Sequence, residues 1–375
     1  MAATRPGYEA ETGSKTKERH VRIVITGASG NVGSALVERL AAGDHELVGI
    51  ARRPPEQGTD LADLVEWHAA DLAESASGHV LERVVQHADA VVHLAWGFQP
   101  SHRLDLLEAL GVGGTQRVLD AVATARVPHL VHMSSVGAYS PKTSDAPVDE
   151  DYPTEGVPRS PYSKHKAAAE RLLDTFEQTT PEVTVTRLRP GIVGRRSSGS
   201  ALLRYGVPGL VPAKALERIP VLPFDPGIRI PMVHTEDVAS AIALALESRA
   251  PGAFNLAAPQ DVTAHDIAAA LGARLVPIPA RVLRFGVSAG WHARVLQLDP
   301  GWIDLAKRVP LLDTGRARAE LGWLPTRTGP EVLREVITGM ADAAYGDSPV
   351  LRSRTVADQV GRAFRQGPVA HRREP

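Results

Sequence analysis

Tyr162-Ser163-Lys164-His165-Lys166 sets a phenol and an ammonium four residues apart, a spacing that puts both on one face of a helix. A phenol ordinarily ionises near pH ~10, too high for an efficient base at neutrality. A neighbouring ammonium stabilises phenolate and lowers that value, so such a pair can move a proton to or from an oxygen bound to carbon. The pair Ser134-Ser135 lies upstream, and the Ser135 hydroxyl is expected to hold that oxygen toward Tyr162. Near the N-terminus runs the turn Gly27-Ala28-Ser29-Gly30-Asn31-Val32-Gly33. In such a turn the first glycine allows the tight bend, the second lets backbone approach a pyrophosphate, and the third lets the helix pack against the sheet. The helix start then offers unpaired N–H groups to phosphates. Together these residues imply hydride transfer between a nicotinamide cofactor and a carbinol or carbonyl carbon. Ser135, Tyr162 and Lys166 are the catalytic candidates, and Lys166 is also expected to bind the nicotinamide ribose.

The elements that must position these groups are legible as alternating apolar runs and helical periodicity. Val21–Ile25 reads as a buried parallel strand and Val32–Ala41 as a helix stopped by Gly43. Strands follow at Glu46–Ile50, Val65–Ala70, Ala90–Leu94, Leu130–Met133 and Val183–Leu188. A long helix is expected over Leu104–Ala125, and another from Ser160 to Thr175 with Ser160 as N-cap and Pro161 at its first position. The alternation gives an α/β fold, a doubly wound parallel sheet of Rossmann type with helices on both faces. Ligands of such sheets bind at the carboxyl ends of the strands. Leu94, Ala95 and Trp96 after the fourth strand, and Met133 and Ser134 at the fifth, are therefore expected against the cofactor. A strand near Ile230–Val233 and a helix at Thr235–Ser248 return to the sheet. The expected domains are a disordered lead over 1–19, a dinucleotide-binding domain over 20–190 plus 234–256, a substrate lobe over 191–233 plus 257–345, and a tail over 346–375. Val356, Val360 and Phe364 in that tail have helical spacing, but a frayed terminus is the favoured reading.

The second strand decides between cofactors. NAD sites tend to place a carboxylate at its end for the ribose hydroxyls; here it ends Gly49-Ile50-Ala51-Arg52-Arg53. Two guanidinium groups suit a 2′-phosphate, so NADP is favoured, with NAD the alternative. Asp71 and Leu72, past the third strand, are expected near the adenine.

The 375 residues carry 42 Lys+Arg against 43 Asp+Glu, no cysteine, and 43% hydrophobic residues. The balance supports a sizeable core and argues against a nucleic-acid-binding surface. Absence of cysteine excludes disulfides, thiolate metal sites and cysteine nucleophiles, and suits a reducing compartment. No apolar run of about 18 residues occurs, so no membrane span is expected, and the N-terminus lacks an apolar signal core. A cytoplasmic protein is the expectation. His93, His132 and His234 fall at or near strand ends without the local spacing of a ligand pair, and no metal is expected. Lys164, off the Tyr162–Lys166 face, is expected in solvent.

On these motifs the chain resembles the extended short-chain dehydrogenase/reductase family, the NAD-dependent epimerase/dehydratase group, over roughly residues 21–340. The resemblance adds His93-Leu94-Ala95, Ser134-Ser135-Val136-Gly137-Ala138-Tyr139, Leu188-Arg189-Pro190-Gly191-Ile192-Val193-Gly194, Val233-His234-Thr235-Glu236-Asp237-Val238, Phe254-Asn255-Leu256 and Glu320-Leu321-Gly322-Trp323-Leu324-Pro325. It implies that Ser135 is the catalytic hydroxyl and that backbone around Pro190, Gly191, Ile192 and Val193 touches the nicotinamide amide. It also implies a small-molecule substrate, with a nucleotide sugar as one class, and a homodimer. Two departures stand out. Gly111 precedes Val112-Gly113-Gly114-Thr115 where the family commonly has Asn. Val136 and Gly137 follow Ser135 where members that eliminate water carry Asp-Glu, and neither can protonate a leaving hydroxyl. Epimerisation through a transient ketone remains open beside net oxidation or reduction. A binding protein that senses cofactor redox state without chemistry is the competing class, and retention of Ser135, Tyr162 and Lys166 argues against it.

Overall fold

The computed structural model describes residues 21–97, 101–206, 213–294, 296 and 298–353; the expected lead and Val356, Val360 and Phe364 lie outside them. Seven parallel strands form one sheet: β1 Val21–Thr26, β2 His45–Ala51, β3 Glu66–Ala69, β4 Ala90–His93, β5 His129–Met133, β6 Thr184–Pro190 and β7 Gly252–Leu256. Their spatial order is β7-β6-β5-β4-β1-β2-β3. Because both faces are covered, the central strands are near-continuous apolar runs rather than alternating ones. Ile25 and Val92 pack with Leu36 and Val37 of helix α1 (Asn31–Leu40) on one face. Val24 and Val91 pack with Val118 of α2 (Gly114–Ala125) and Leu173 of α3 (Pro161–Thr179) on the other. Helix α4 (Thr235–Ser248) completes the first face through Val238 and Ile242. Since β1 lies between β2 and β4, the order reverses beside it. A crevice opens at that switch point, beyond the carboxyl ends of the strands.

Helix α3 starts as its sequence predicts: the Ser160 hydroxyl accepts from the Ser163 N–H and Pro161 occupies the first position. The expected long helix over Leu104–Ala125 is instead interrupted. Leu104–Glu108 is α-helical, Ala109–Gly113 is a turn of π-helix, and α2 follows. The Thr115 hydroxyl donates to the Gly111 carbonyl at 2.7 Å and lies 3.1 Å from Nε2 of His93 at the end of β4. The wider turn thus aims Thr115 at the buried imidazole. A Cβ on Gly111 would come within 3.0 Å of the Trp96 ring, so the glycine leaves room for that indole.

The smaller lobe rests on paired short strands. Ile192–Gly194 runs beside Met232–His234, Val221–Phe224 beside Arg274–Pro277, and Arg229–Ile230 beside Val262–Thr263. Its core gathers Val332, Leu333 and Val336 from α6 (Gly329–Ala341) with Met232 and Val262. Helix α5 (Gly301–Arg308) faces the crevice. Beyond α6 the chain turns back: the Gly346 N–H donates to the Leu351 carbonyl at 3.0 Å, and Leu351 is only 2% exposed. No helix among the described residues is long and apolar enough to cross a membrane.

The turn after β1 tolerates no added carbon at two positions. Gly27 adopts φ +72°, and a Cβ on Gly33 would stand 2.3 Å from the Gly27 carbonyl oxygen, which is fixed backbone. Gly33→Ala should therefore push α1 off the turn and destabilise the protein by about 1–3 kcal/mol, a typical cost of overpacking. A lower Tm in thermal unfolding checks this, and an unchanged Tm would show that the turn relaxes freely.

Candidate active site

Ser135 stands just past β5, in extended backbone (φ −172°), with its oxygen accepting the Gly137 N–H at 3.0 Å. Tyr162 sits in the first turn of α3 and hydrogen-bonds Ser135. A Cβ on Gly137 would lie 2.8 Å from the Tyr162 ring. The residue type that departs from the water-eliminating pattern is thus the one that lets the phenol reach Ser135. The tyrosine ring stacks on Trp302 at 5.1 Å and meets the Trp96 edge at 6.4 Å. Burial among these rings pushes the phenol up to about 12, and the Ser135 hydrogen bond offsets this only in part. In the protein alone, desolvation is the dominant influence on this phenol.

One turn on, Lys166 is 2% exposed. Its ammonium donates to the Met133 carbonyl at 2.8 Å and lies 3.4 Å from the centre of the Trp96 ring, a cation–π contact. Burial holds its pKa well below the ordinary lysine value, against the pull of Glu170. Lys164 is exposed. His93 lies between Thr26 Oγ1 (2.7 Å) and Thr115 Oγ1 (3.1 Å), and burial, then Lys166, lowers it to about 3, so it is a neutral structural imidazole.

A further turn along the same face lies Glu170, fully buried. The Ser134 hydroxyl donates to its Oε1 at 2.5 Å, Arg189 donates to both oxygens at 2.9 and 3.0 Å, and Arg187 donates to Oε2 at 2.9 Å. Arg189 also reaches the Tyr139 hydroxyl at 3.1 Å, which donates to Asn255 of β7 at 2.7 Å. Helix α3 is thereby bolted to β5, β6 and β7 directly behind the serine pair. Sequence reasoning missed Glu170, although it follows Lys166 at the same four-residue spacing that identified Tyr162.

A cavity of about 300 Å³ joins these groups to the glycine turn. Of the expected residues, Gly27, Gly30, Asn31, Val32, Gly33, Leu94, Trp96, Met133, Ser134, Ser135, Tyr162, Lys166, Pro190, Gly191, Ile192 and Val193 line it. Ser29, Arg52, Arg53, Asp71, Leu72 and Ala95 stand outside its wall. Leu72 is buried in the sheet's second core, Ala95 backs Gly27, and Arg52 lies 3.7 Å from Asp71 where β2 and β3 end. No side chain caps α1 at Gly30, so its first N–H groups remain available at the crevice. A Cβ on Gly30 would stand 3.1 Å from the Gly27 carbonyl oxygen; the bare backbone there makes a cradle that fits a pyrophosphate. Trp302, Leu305 and Leu351 also line the cavity. They come from the lobe and the chain's far end, where no local spacing marks them.

This crevice and sheet define an α/β protein of Rossmann type. A model of the NAD-dependent epimerase/dehydratase family matches residues 23–257, and the chain belongs to that family. An uncharacterized protein of Mycobacterium tuberculosis is 27% identical over 317 residues, 84% of this chain and 29% of its own length; this chain therefore spans under a third of that relative. The dTDP-6-deoxy-L-talose 4-dehydrogenase (NAD(P)(+)) of Kitasatospora kifunensis is 28% identical over 330 residues, covering 86% of this chain and 96% of that enzyme. Among solved structures, Thermus thermophilus UDP-glucose 4-epimerase in complex with NAD superposes with a TM-score of 0.63 at 23% identity, covering 86% of this chain and 99% of the other.

The bolt makes a stability prediction. Burial alone would raise the Glu170 carboxyl, but hydrogen bonds and charge from Arg189, with Ser134 and Arg187, hold it at about 2. A depressed carboxyl stabilises the fold above its unfolded value of ~4.5, and that contribution fades as pH falls toward about 2. Glu170→Ala leaves Arg189 buried without its carboxylate, so it should cost about 3–5 kcal/mol at pH 7. Denaturant unfolding from pH 7 down to 2 should show the deficit narrowing across that window; a constant deficit would place the stabilisation elsewhere.

Proposed function

We propose that this protein is an NAD(P)-dependent oxidoreductase that transfers hydride to or from a carbinol or carbonyl carbon, with Tyr162 carrying the proton. The observation that carries the reading is the Ser135–Tyr162 hydrogen bond, set one helical turn from Lys166 inside the cavity that the glycine turn lines. A bound nicotinamide ring supplies the hydride when reduced and, when oxidised, a positive charge that favours Tyr162 phenolate. In the reductive direction Ser135 donates to the substrate oxygen and fixes the carbonyl. As the new C–H bond forms, the C=O π pair moves onto oxygen, and Tyr162 delivers its hydroxyl proton there. The phenol is protonated at neutral pH and so holds the proton this direction requires. Lys166, anchored on Met133 and Trp96, would hydrogen-bond the nicotinamide ribose and stabilise the phenolate left behind.

The Thermus structure and the Kitasatospora relative support two neighbouring variants, epimerisation through a transient ketone and net oxidation or reduction of a nucleotide sugar. Val136 and Gly137 argue against dehydration, since neither can protonate a leaving hydroxyl. We favour NADP over NAD, because β2 runs into Arg52 and Arg53 with no carboxylate at its end.

Tyr162→Phe should keep cofactor affinity and lower kcat at least about a hundredfold, the usual scale of a lost acid–base group. Stopped-flow turnover alongside cofactor titration checks it; undiminished turnover would remove Tyr162 from the chemistry. Replacing Arg52 and Arg53 with Ala should weaken NADP far more than NAD in equilibrium titrations, whereas equal losses would show that no 2′-phosphate is read there.

A further inference from the structure

The cavity around Tyr162 has walls of an unusual kind for a site that accepts a charged sugar nucleotide. Away from the glycine turn, Ser135, Tyr162 and Lys166, its lining includes Val136, Leu202, Ile230, Trp302, Leu305 and Leu351. Among the described lining residues, Lys166 is the only Lys, Arg, Asp or Glu, and its Nζ is already held between the Met133 carbonyl and the Trp96 ring. Three arginines of the lobe, Arg195, Arg196 and Arg229, have carboxylate partners. Arg229 grips Asp261 with two hydrogen bonds, at 2.6 and 2.9 Å. Arg196 pairs with Asp342 at 2.6 Å, and Arg195 reaches Ser34 at 2.6 Å and Glu38 at 3.4 Å. The glycine turn of this cavity offers backbone N–H groups to one pyrophosphate; a second diphosphate set against Leu202, Ile230, Trp302 and Leu305 would leave water without a described cation to meet it. An apolar body would instead gain from burial, and the Trp302 ring stacked on Tyr162 offers it a flat aromatic face.

We propose that the carbinol or carbonyl presented to Tyr162 belongs to a compact, uncharged molecule with an aromatic or alicyclic body, and not to a nucleotide-diphosphate sugar. This inference rests on the hydride-transfer reading, and binding separates the two. The full-length Tyr162→Phe protein, saturated with oxidised cofactor, is titrated with 1-tetralone as a neutral bicyclic ketone and with UDP-glucose, each followed by calorimetry. The expected result is saturable binding of 1-tetralone and affinity for UDP-glucose lower by about a hundredfold or more. Trp302→Ala should weaken 1-tetralone about tenfold or more, through loss of an aromatic wall. UDP-glucose binding as tightly as 1-tetralone, or failure of 1-tetralone to bind at all, overturns the substrate class. Turnover of 1-tetralone by the unaltered protein with reduced cofactor then tests hydride transfer on its own. Binding without turnover leaves the cavity's preference standing and removes the chemistry.

Discussion

A carboxylate shared between two buried guanidinium groups is the constraint on which the site depends. Glu170 is held by Arg187 and Arg189 from β6 and by Ser134 from the end of β5. Removed from water, none of these charges is tolerable alone, so α3 can sit in one place only relative to the sheet. Tyr162 and Lys166 ride on that helix, two turns and one turn before Glu170. Their distances to Ser135 and Met133 follow from where the carboxylate is pinned. An ion cluster of this sort contributes less to net stability than to the uniqueness of the arrangement, and uniqueness is what proton transfer over a single hydrogen bond requires.

Desolvation shapes the chemistry in front of this bolt. Trp96 and Trp302 flank Tyr162 and leave the phenol protonated near neutral pH, while Lys166 is held below its ordinary value by the same exclusion of water. The two shifts run in opposite senses: burial moves the phenol further from neutrality and the Lys166 amine nearer to it. The glycine at 137 and the glycine at 111 serve one end: each makes space for an aromatic ring, Tyr162 in one case and Trp96 in the other.

Much of this was legible in the sequence, and the legible part was local. The strand–glycine–helix order located the crevice because a tight turn and a helix start are written in neighbouring residues. The Tyr162–Lys166 spacing put both residues on one wall of the cavity because helical geometry converts four residues into one face. The π turn at Ala109–Gly113 was not legible, since it depends on Thr115 finding His93 across the sheet. Nor was the ownership of the arginines. Arg187 and Arg189 look like any strand residues until Glu170 faces them, and the carboxylate partners of Arg195, Arg196 and Arg229 come from distant segments. The lining by Trp302 and Leu351 depends on chain segments far from every motif.

Leu351 belongs to no motif and to none of the sheet's strands, yet it forms part of the wall beside the reacting groups. The signature residues therefore do not delimit the working unit. A polypeptide ending at Ala344 would keep the glycine turn, the serine pair, the tyrosine and the lysine, and would lack two residues of the wall they share, Val350 and Leu351.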